Sequence, residues 1–514
     1  MQDKRALYAT SFSGCICSRL GPELINFTEP GKNIIYRTTS MYFYRLNHLL
    51  FLLILTTFAG VACAGVSPAS DSSTASSSTV TDTESLEWGA GVARVNITPE
   101  EPMWMAGYGF RDHPSEGVRQ ELWAKAVALE DATGNLSVLV TSDLLGIPKG
   151  ISDTIRDRLE EEYGLNRAQI ILNSSHTHTG PVLEDALVDI YPLDDHQNSL
   201  ISQYSRQLED DIVNLVGEAL ESIEPARLYA ENGVTRFAVN RRNNPAATLH
   251  QQTELQGPSD HAVPVIKVED GSGDLKAVVF GYACHTTALN DYHWSGDYAG
   301  FSQLELEKKY PGVTALFFQG AGADQNPLPR GTVELGEQNG LNLAIAVDRV
   351  LKEEMRPLRS QLSTAYSEVD INLSPLPSRE EMAQTRDESS GYSRRWAERM
   401  LGIMDSGESF DTTYPYPVQV WMIGDQPLFT LGGELVVDYA IEIKRIFGFE
   451  SFVMGYTNDV MAYIPSARII REGGYEGFTA QRVYGLPTTW ATDIETLILA
   501  EVLKVAEQAG LKAK

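Results

Sequence analysis

The feature that most constrains this chain is a recurring one: a short apolar run that stops in a polar or glycine-rich turn. Such runs occupy Leu122–Leu129, Leu136–Thr141, Gln169–Leu172, Lys276–Cys284, Val313–Phe318, Val418–Ile423, Leu428–Leu431 and Ser451–Gly455. Apolar runs of this length, bounded by turn residues, read as buried strands. Between them lie stretches with apolar residues at helical spacing. In Ile151–Tyr163 these are Ile151, Ile155, Leu159 and Tyr163; Asn198–Leu220, Leu341–Val350, Leu435–Phe447 and Thr489–Ala509 read the same way. Strands that alternate with helices predict an α/β fold, with mixed β-sheets flanked by helices. The exception is a hairpin about Gly424-Asp425. The polar stretch Ser378–Phe410, with a helix expected at Ser393–Met404, reads as a lid or an insertion.

The fold is expected to begin near Trp88 and to run to Lys514 as one body. Ahead of it, Leu49–Ala64 is a largely apolar run preceded by Arg45 and His48, with the small-x-small triplet Ala62-Cys63-Ala64 at its end. That is the pattern of a secretory signal, and it is short for a membrane span. The signal would start naturally at Met41, which makes residues 1–40 an extension; Gly60-Val61-Ala62-Cys63 also resembles a lipoprotein cleavage site. Residues 65–87 are rich in Ser and Thr and read as a linker. The expectation is an exported protein, periplasmic, extracellular or at the cell surface. The formal charge is −28, and residues 1–85 hold as many basic as acidic residues, so the excess lies in the body. An acidic body argues against nucleic acid and against charge-driven docking on anionic lipid. Membrane contact is then expected only through the substrate or through a lipid at Cys63. Of four cysteines only Cys284 lies in the body, which excludes an internal disulfide there.

The chemistry gathers where the runs end. Asn173–Pro181 reads N-S-S-H-T-H-T-G-P, which puts His176 and His178 just past a strand, where open α/β sheets build their sites. Asp143, His285, Asp324, Glu434 and the Asn458–Tyr463 loop hold corresponding places. Imidazole and carboxylate are good zinc ligands, and a catalytic zinc keeps one position for water. Each residue also has a plainer reading. A histidine at a strand end can be a hydrogen-bonded packing residue. Asp297 can cap the helix that follows it, Glu434 can oppose a helix dipole, and Cys284 can be a small buried residue.

These residues carry a resemblance to the catalytic N-terminal domain of the neutral/alkaline non-lysosomal ceramidases, zinc-dependent amidases of sphingolipid metabolism that cut an N-acyl sphingoid base. It runs from about Gly89 to about Leu486. Ile97-Thr98-Pro99 with Ala106-Gly107-Tyr108 resembles the family's opening. Ser175-His176-Thr177-His178 with Gly180-Pro181 resembles its first metal motif, and Ala283-Cys284-His285-Thr286 with Ser295-Gly296-Asp297 its second. Asn458, Tyr463, Tyr475, Glu476 and Gly477 resemble its N-x4-Y-x11-Y-E-G run, the most specific of these. The resemblance implies that His176, His285, Glu434 and Tyr463 bind Zn2+. It implies that His178 and Tyr475 act beside the substrate carbonyl and leaving amine, and that Arg241 binds substrate, with Arg242 as the neighbour that could be mistaken for it.

The chain departs from the pattern in three places. Gly320 stands where family members have a Ser. Val182-Leu183 replace two glycines after Pro181. With the sequence ending at Lys514, the C-terminal β-sandwich of longer members is not expected. With no hydroxyl at Gly320, the expected nucleophile is a zinc-bound water. Three readings stay open: a ceramidase-like amidase acting on a small-molecule or lipid N-acyl substrate; a zinc hydrolase of another amide or ester, such as an N-acyl amino acid; and a non-catalytic surface binding protein that keeps the zinc fold.

Overall fold

The computed structural model describes residues 87–514. The signal-like run, Cys63 and the linker up to Leu86 lie outside the described residues.

A nine-stranded sheet forms the first layer. Its strand order is Thr314–Gln319, Leu275–Tyr282, Ala262–Asp270, Glu224–Val234, Trp88–Asn96, Trp123–Glu130, Leu136–Ser142, Ile170–Ser174, with Arg356–Pro357 paired to Glu224–Val234. Pairing is antiparallel through the middle and parallel at each edge. A second sheet of four strands has the order Leu362–Asn372, Thr413–Ile423, Gln426–Leu431, Phe452–Met454.

Side chains alternate faces along a strand, and both faces of the large sheet are covered. Ala126, Val138, Val140, Ile170 and Leu172 pack on the helices Lys149–Tyr163 and Asp195–Glu221 through Ile155, Leu159, Leu208 and Ile212. Val278, Phe280, Ala315 and Phe317 pack with the helices Asp297–Lys309 and Val333–Lys352. Their alternates Val127, Leu139, Ile171, Val279, Leu316 and Phe318 meet Trp421, Leu428, Phe452 and Met454 of the second sheet. Helices Val437–Phe447 and Ile494–Gln508 cover that sheet's far side. The layers therefore run helix, sheet, sheet, helix. Continuous apolar runs such as Leu136–Thr141 are what burial on both faces requires.

The expected class, mixed sheets flanked by helices, is what the chain adopts, but strict alternation of strand and helix is not. Several strands follow one another directly because tight polar turns join them. In one, the Asp131 carboxylate accepts the amides of Thr133 and Asn135 at 2.9 and 3.0 Å. Three long strands gave no clear sequence signal: Glu224–Val234, Ala262–Asp270 and Leu362–Asn372. The first buries mainly alanines, and the second contains Pro264, which ordinarily argues against a strand. Residues 378–410 hold two helices, Arg379–Glu388 and Gly391–Ser406, around their own small core of Met382, Trp396, Ala397, Met400 and Leu401. Arg399 ties this pair to Asp189 at 2.7 Å, and the Trp396 indole donates to the Leu486 carbonyl at 2.9 Å.

One contact decides where a site can form. The strands Ile170–Ser174 and Thr314–Gln319 lie at opposite ends of the sheet order, yet the sheet curls until they meet. The Gln319 amide donates to the Asn173 side-chain oxygen at 2.9 Å, and Asn173 Nδ2 donates to the Gly455 carbonyl at 2.8 Å. A side-chain amide stands in for a ladder that the two edges do not share. Closure brings the chain beyond Ser174 against the chain beyond Tyr282.

Candidate metal centre

His176 follows the closing edge in a left-handed backbone conformation, φ 59°. That conformation is uncommon outside glycine and costs on the order of 1–3 kcal/mol. Tyr456 and Asn458, opposite it, are also left-handed, at 53° and 63°. Asn458 shows what holds them there. Its Oδ1 accepts the Leu172 amide at 3.0 Å and its Nδ2 donates to Gln419 at 2.8 Å, stitching the two sheets together.

The ring orientations follow from backbone partners. His176 Nδ1 donates to the Leu145 carbonyl at 2.7 Å, and His285 Nδ1 donates to the Gly322 carbonyl at 3.3 Å. A carbonyl only accepts, so in each neutral ring the proton sits on Nδ1 and Nε2 presents a lone pair. The two Nε2 atoms are 3.1 Å apart. Glu434 Oε2 lies 3.2 Å from His176 Nε2 and 3.5 Å from His285 Nε2. Its other oxygen accepts the Tyr484 hydroxyl at 2.7 Å, whereas Oε2 has no hydrogen-bond donor in reach. Burial, and next the His176 imidazole, press His285 well below the ordinary histidine value, which keeps its ring neutral.

Two imidazole nitrogens and a carboxylate oxygen thus face one another, all buried. Unpaired acceptors in a low dielectric are costly. A divalent cation removes that cost. Zinc with bonds of ~2.0–2.1 Å in tetrahedral geometry has donor–donor edges of about 3.3–3.4 Å, close to the spacings above. The Nδ1 bonds to carbonyls are also the usual support of metal-binding imidazoles. His176, His178 and His285 lie with their ring nitrogens within 4.8 Å of one another, all buried, and could hold an ion.

His178 differs in its surroundings. Its Nε2 is 3.1 Å from His176 Nε2, but its Nδ1 is buried without a partner. No carbonyl fixes its tautomer. Its ring lies against Tyr108, centroids 4.7 Å apart, and a side chain at Gly107 would collide with it at 2.5 Å. Burial first, then the His176 imidazole, hold His178 well below the ordinary histidine value.

Glu434 and Tyr463 enter together because the strands Glu434–Leu435 and Tyr463–Ile464 pair in parallel, in register. The Tyr463 ring stacks beside His285, centroids 6.4 Å apart and 13° from parallel, and its hydroxyl accepts Arg241 Nη2 at 3.2 Å. Tyr475 sets its ring edge-on to Tyr463 at 5.3 Å and remains 42 % exposed. Arg241 is tied into the frame: its Nε donates to Glu476 at 2.7 Å, and Arg242 Nη1 binds the other oxygen of that carboxylate at 2.6 Å.

Other strand-end residues serve the frame. Asp297 does not cap the helix that follows it. Gly296 holds that place, while the Asp297 carboxylate accepts the amides of Ala288 and Leu289 and fixes the loop after His285. Asp324 accepts the Val437 amide and Asn240 Nδ2, at 2.9 and 3.0 Å. Asp143 accepts the Trp123 amide at 3.0 Å. Cys284 is buried in the core beside Tyr298. Tyr484, the donor to Glu434, was not anticipated. It follows Gln481-Arg482-Val483, a tract without periodicity, and nothing in its sequence context marks it.

The layered fold and buried imidazole–carboxylate cluster define an α/β protein with a candidate metal centre. Residues 88–326 match the family described as neutral/alkaline non-lysosomal ceramidase, N-terminal. Neutral ceramidase A of Dictyostelium discoideum is 26% identical over 275 residues, which is 49% of this chain and 37% of that protein. The neutral ceramidase of Pseudomonas aeruginosa is 24% identical over 258 residues, 48% of this chain and 38% of that one. The matched stretch thus spans well under half of these relatives' length. The crystal structure of the Pseudomonas aeruginosa neutral ceramidase superimposes with a TM-score of 0.65 at 19% identity, covering 84% of this chain and 76% of that one. At this identity the superposition establishes the fold.

Proposed function

We propose that this protein is a zinc-dependent hydrolase that cleaves the amide of an N-acyl substrate. The observation that carries this reading is the meeting of His176 Nε2 and His285 Nε2, whose Nδ1 atoms are bound to carbonyls, with Glu434 Oε2, which has no hydrogen-bond donor in reach. Tyr463 is the fourth ligand, through the oxygen that Arg241 already contacts. When bound, the ion lowers the pKa of water and polarises a carbonyl oxygen. His178 is the proton carrier: its ring is neutral, and it lacks the Nδ1 carbonyl bond that marks the two ligand imidazoles. It takes a proton from the attacking water and returns it to the leaving amine. Tyr475 donates its hydroxyl to the oxyanion.

Neither of the two positions considered for a nucleophile supplies one. Gly320 has no hydroxyl, and burial raises the Cys284 thiol well above its ordinary value. A cavity of about 540 Å³ lined by Ile470, Tyr475, Phe478 and Trp490 adjoins the site through Tyr475 and suits an apolar acyl chain. The signal-like run Leu49–Ala64 supports placing this chemistry outside the cytoplasm.

Metal analysis of the purified full chain tests the reading. One zinc per chain is expected, with a His176→Ala variant losing more than about 100-fold in metal affinity, beyond the range typical of supporting residues. Wild-type affinity in that variant would refute the ligand set. Failure of the zinc-loaded protein to hydrolyse any of a panel of N-acyl amides would refute the activity.

A further inference from the structure

The charges around His178 carry a statement about substrate that the metal site alone does not make. Three guanidinium groups bond to the segments around this imidazole: Arg111 to the His178 carbonyl, Arg241 to the Tyr463 hydroxyl and Arg330 to the Thr287 hydroxyl. Two of them are already committed. Arg111 is buried and donates to the carbonyls of Asp291 and His178 at 2.8 and 2.9 Å. Arg241 is held by Glu476 and Tyr463.

Arg330 is different. It is exposed, and its one side-chain hydrogen bond among the described residues goes from Nη1 to the Thr287 hydroxyl at 3.0 Å. No carboxylate among the described residues pairs with it. Asp297, at the end of the loop beyond Thr287, is already satisfied by the amides of Ala288 and Leu289. A guanidinium has five N–H donors in a planar fork, which suits a carboxylate's two oxygens. The group is also fixed in place. Thr287 is buried two residues beyond His285, and the Gly331 amide donates to the Ala288 carbonyl at 2.8 Å, so Arg330 rides on the loop that carries a proposed ligand. The chain's formal charge is −28. An anionic ligand is repelled by such a body unless a local cation receives it.

We infer that Arg330 is an anion-binding group at the mouth of this site, and that the preferred substrates are N-acyl compounds whose amine half carries a carboxylate, sulfonate or phosphate. This rests on the amide-hydrolase reading above and names its substrate class. The acyl chain takes the apolar cavity beside Tyr475, and the anion faces Arg330 on the side of Thr287 and His178.

The test compares N-dodecanoylglycine, N-dodecanoyltaurine and N-dodecanoylphosphoethanolamine with the neutral N-dodecanoylethanolamine on the zinc-loaded full chain. The wild type is expected to favour an anionic substrate in kcat/KM, and the best of the three identifies the anion. Arg330→Gln is expected to reduce that preference about 10–100-fold, chiefly through KM, the effect of a hydrogen bond to a charged group. Arg330→Lys is expected to fall between. Equal or greater activity on the neutral amide, or a preference unchanged within about twofold in Arg330→Gln, overturns the inference. Should no amide be cleaved, the hydrolase reading fails by itself. Calorimetric titration with N-dodecanoylglycine then decides the anion site: tenfold weaker binding to Arg330→Gln upholds it, and equal binding overturns it.

Discussion

The two halves of the candidate metal centre are held by different means. His176 and His285 come from the curled nine-stranded sheet, and each is oriented by a backbone carbonyl, of Leu145 and of Gly322. Glu434 and Tyr463 come from a two-residue pair beside the second sheet, and side chains orient them: Tyr484 on Glu434, Arg241 on the Tyr463 hydroxyl. A carbonyl partner survives almost any substitution at its own residue, because every residue supplies one. A side-chain partner is lost with a single change. The imidazole half should therefore be stiff and hard to alter by mutation, and the carboxylate–phenol half adjustable one residue at a time.

The sharpest challenge to this division is His178, which lies in the imidazole half without a carbonyl anchor. His178→Ala is expected to lower turnover by about 10²–10⁴-fold, the usual worth of general acid–base catalysis, with zinc content unchanged. A base works only when unprotonated, and burial holds this group well below the ordinary value. Activity should therefore persist as pH falls past ~6.5, the unperturbed histidine value, and be lost only at lower pH. Loss of metal together with activity would make His178 a third imidazole ligand, one without a carbonyl anchor, and break the division.

The adjustable half is probed by Tyr484→Phe. Removing the hydroxyl frees Glu434 Oε1, so the carboxylate can turn and Oε2 is no longer fixed toward the imidazoles. Metal affinity is expected to fall about 10–100-fold, the range for supporting residues of metal ligands. Competition with a chelating dye measures it without reference to activity. A change of less than about twofold would mean that the strand pairing of Glu434 with Tyr463 suffices to aim the carboxylate.

The same division explains what could be read from the sequence. The strands of the imidazole half are apolar runs buried on both faces, and the histidines stand directly after them, so they were legible as residues and as places. Their convergence was not. It depends on Asn173 bridging to Gln319 across the ends of the sheet order, a contact between residues 146 positions apart. In the other half, Glu434 and the Asn458–Tyr463 loop were legible as places after strands, but the ligand role of Tyr463 came only from its resemblance to a known spacing. Tyr484 was not legible at all, since one hydroxyl in an aperiodic tract leaves no pattern. Arg241 was read as a substrate group only through the family resemblance. The pairing with Glu476 that restrains it spans 235 residues. The apolar content of Leu362–Asn372 is too sparse to mark a strand without its partner Thr413–Ile423 beside it.

The smallest effect is expected at Gly320, on the stiff side. Its amide donates to the Tyr282 carbonyl at 3.0 Å, and a Cβ built there would stand 3.1 Å from Ala283 Cα and 3.2 Å from Ala283 N. That is tighter than ordinary packing. The atoms it would press on are backbone, two residues before His285. Gly320→Ser is therefore expected to cost about 1–3 kcal/mol of stability, as overpacking does, read as a lower denaturant midpoint. Because Leu145 and Gly322 still orient the rings, metal affinity should change less than in Tyr484→Phe. The new hydroxyl starts from a backbone pressed against Ala283, so it should add no nucleophile, and rapid-quench kinetics should show no burst of released amine. A burst with a trapped acyl-enzyme would show that the serine reaches the reacting carbon, and hydrolysis by water would then not be the only route this architecture permits. A larger fall in metal affinity than that of Tyr484→Phe would show that the sheet half is the less tolerant one.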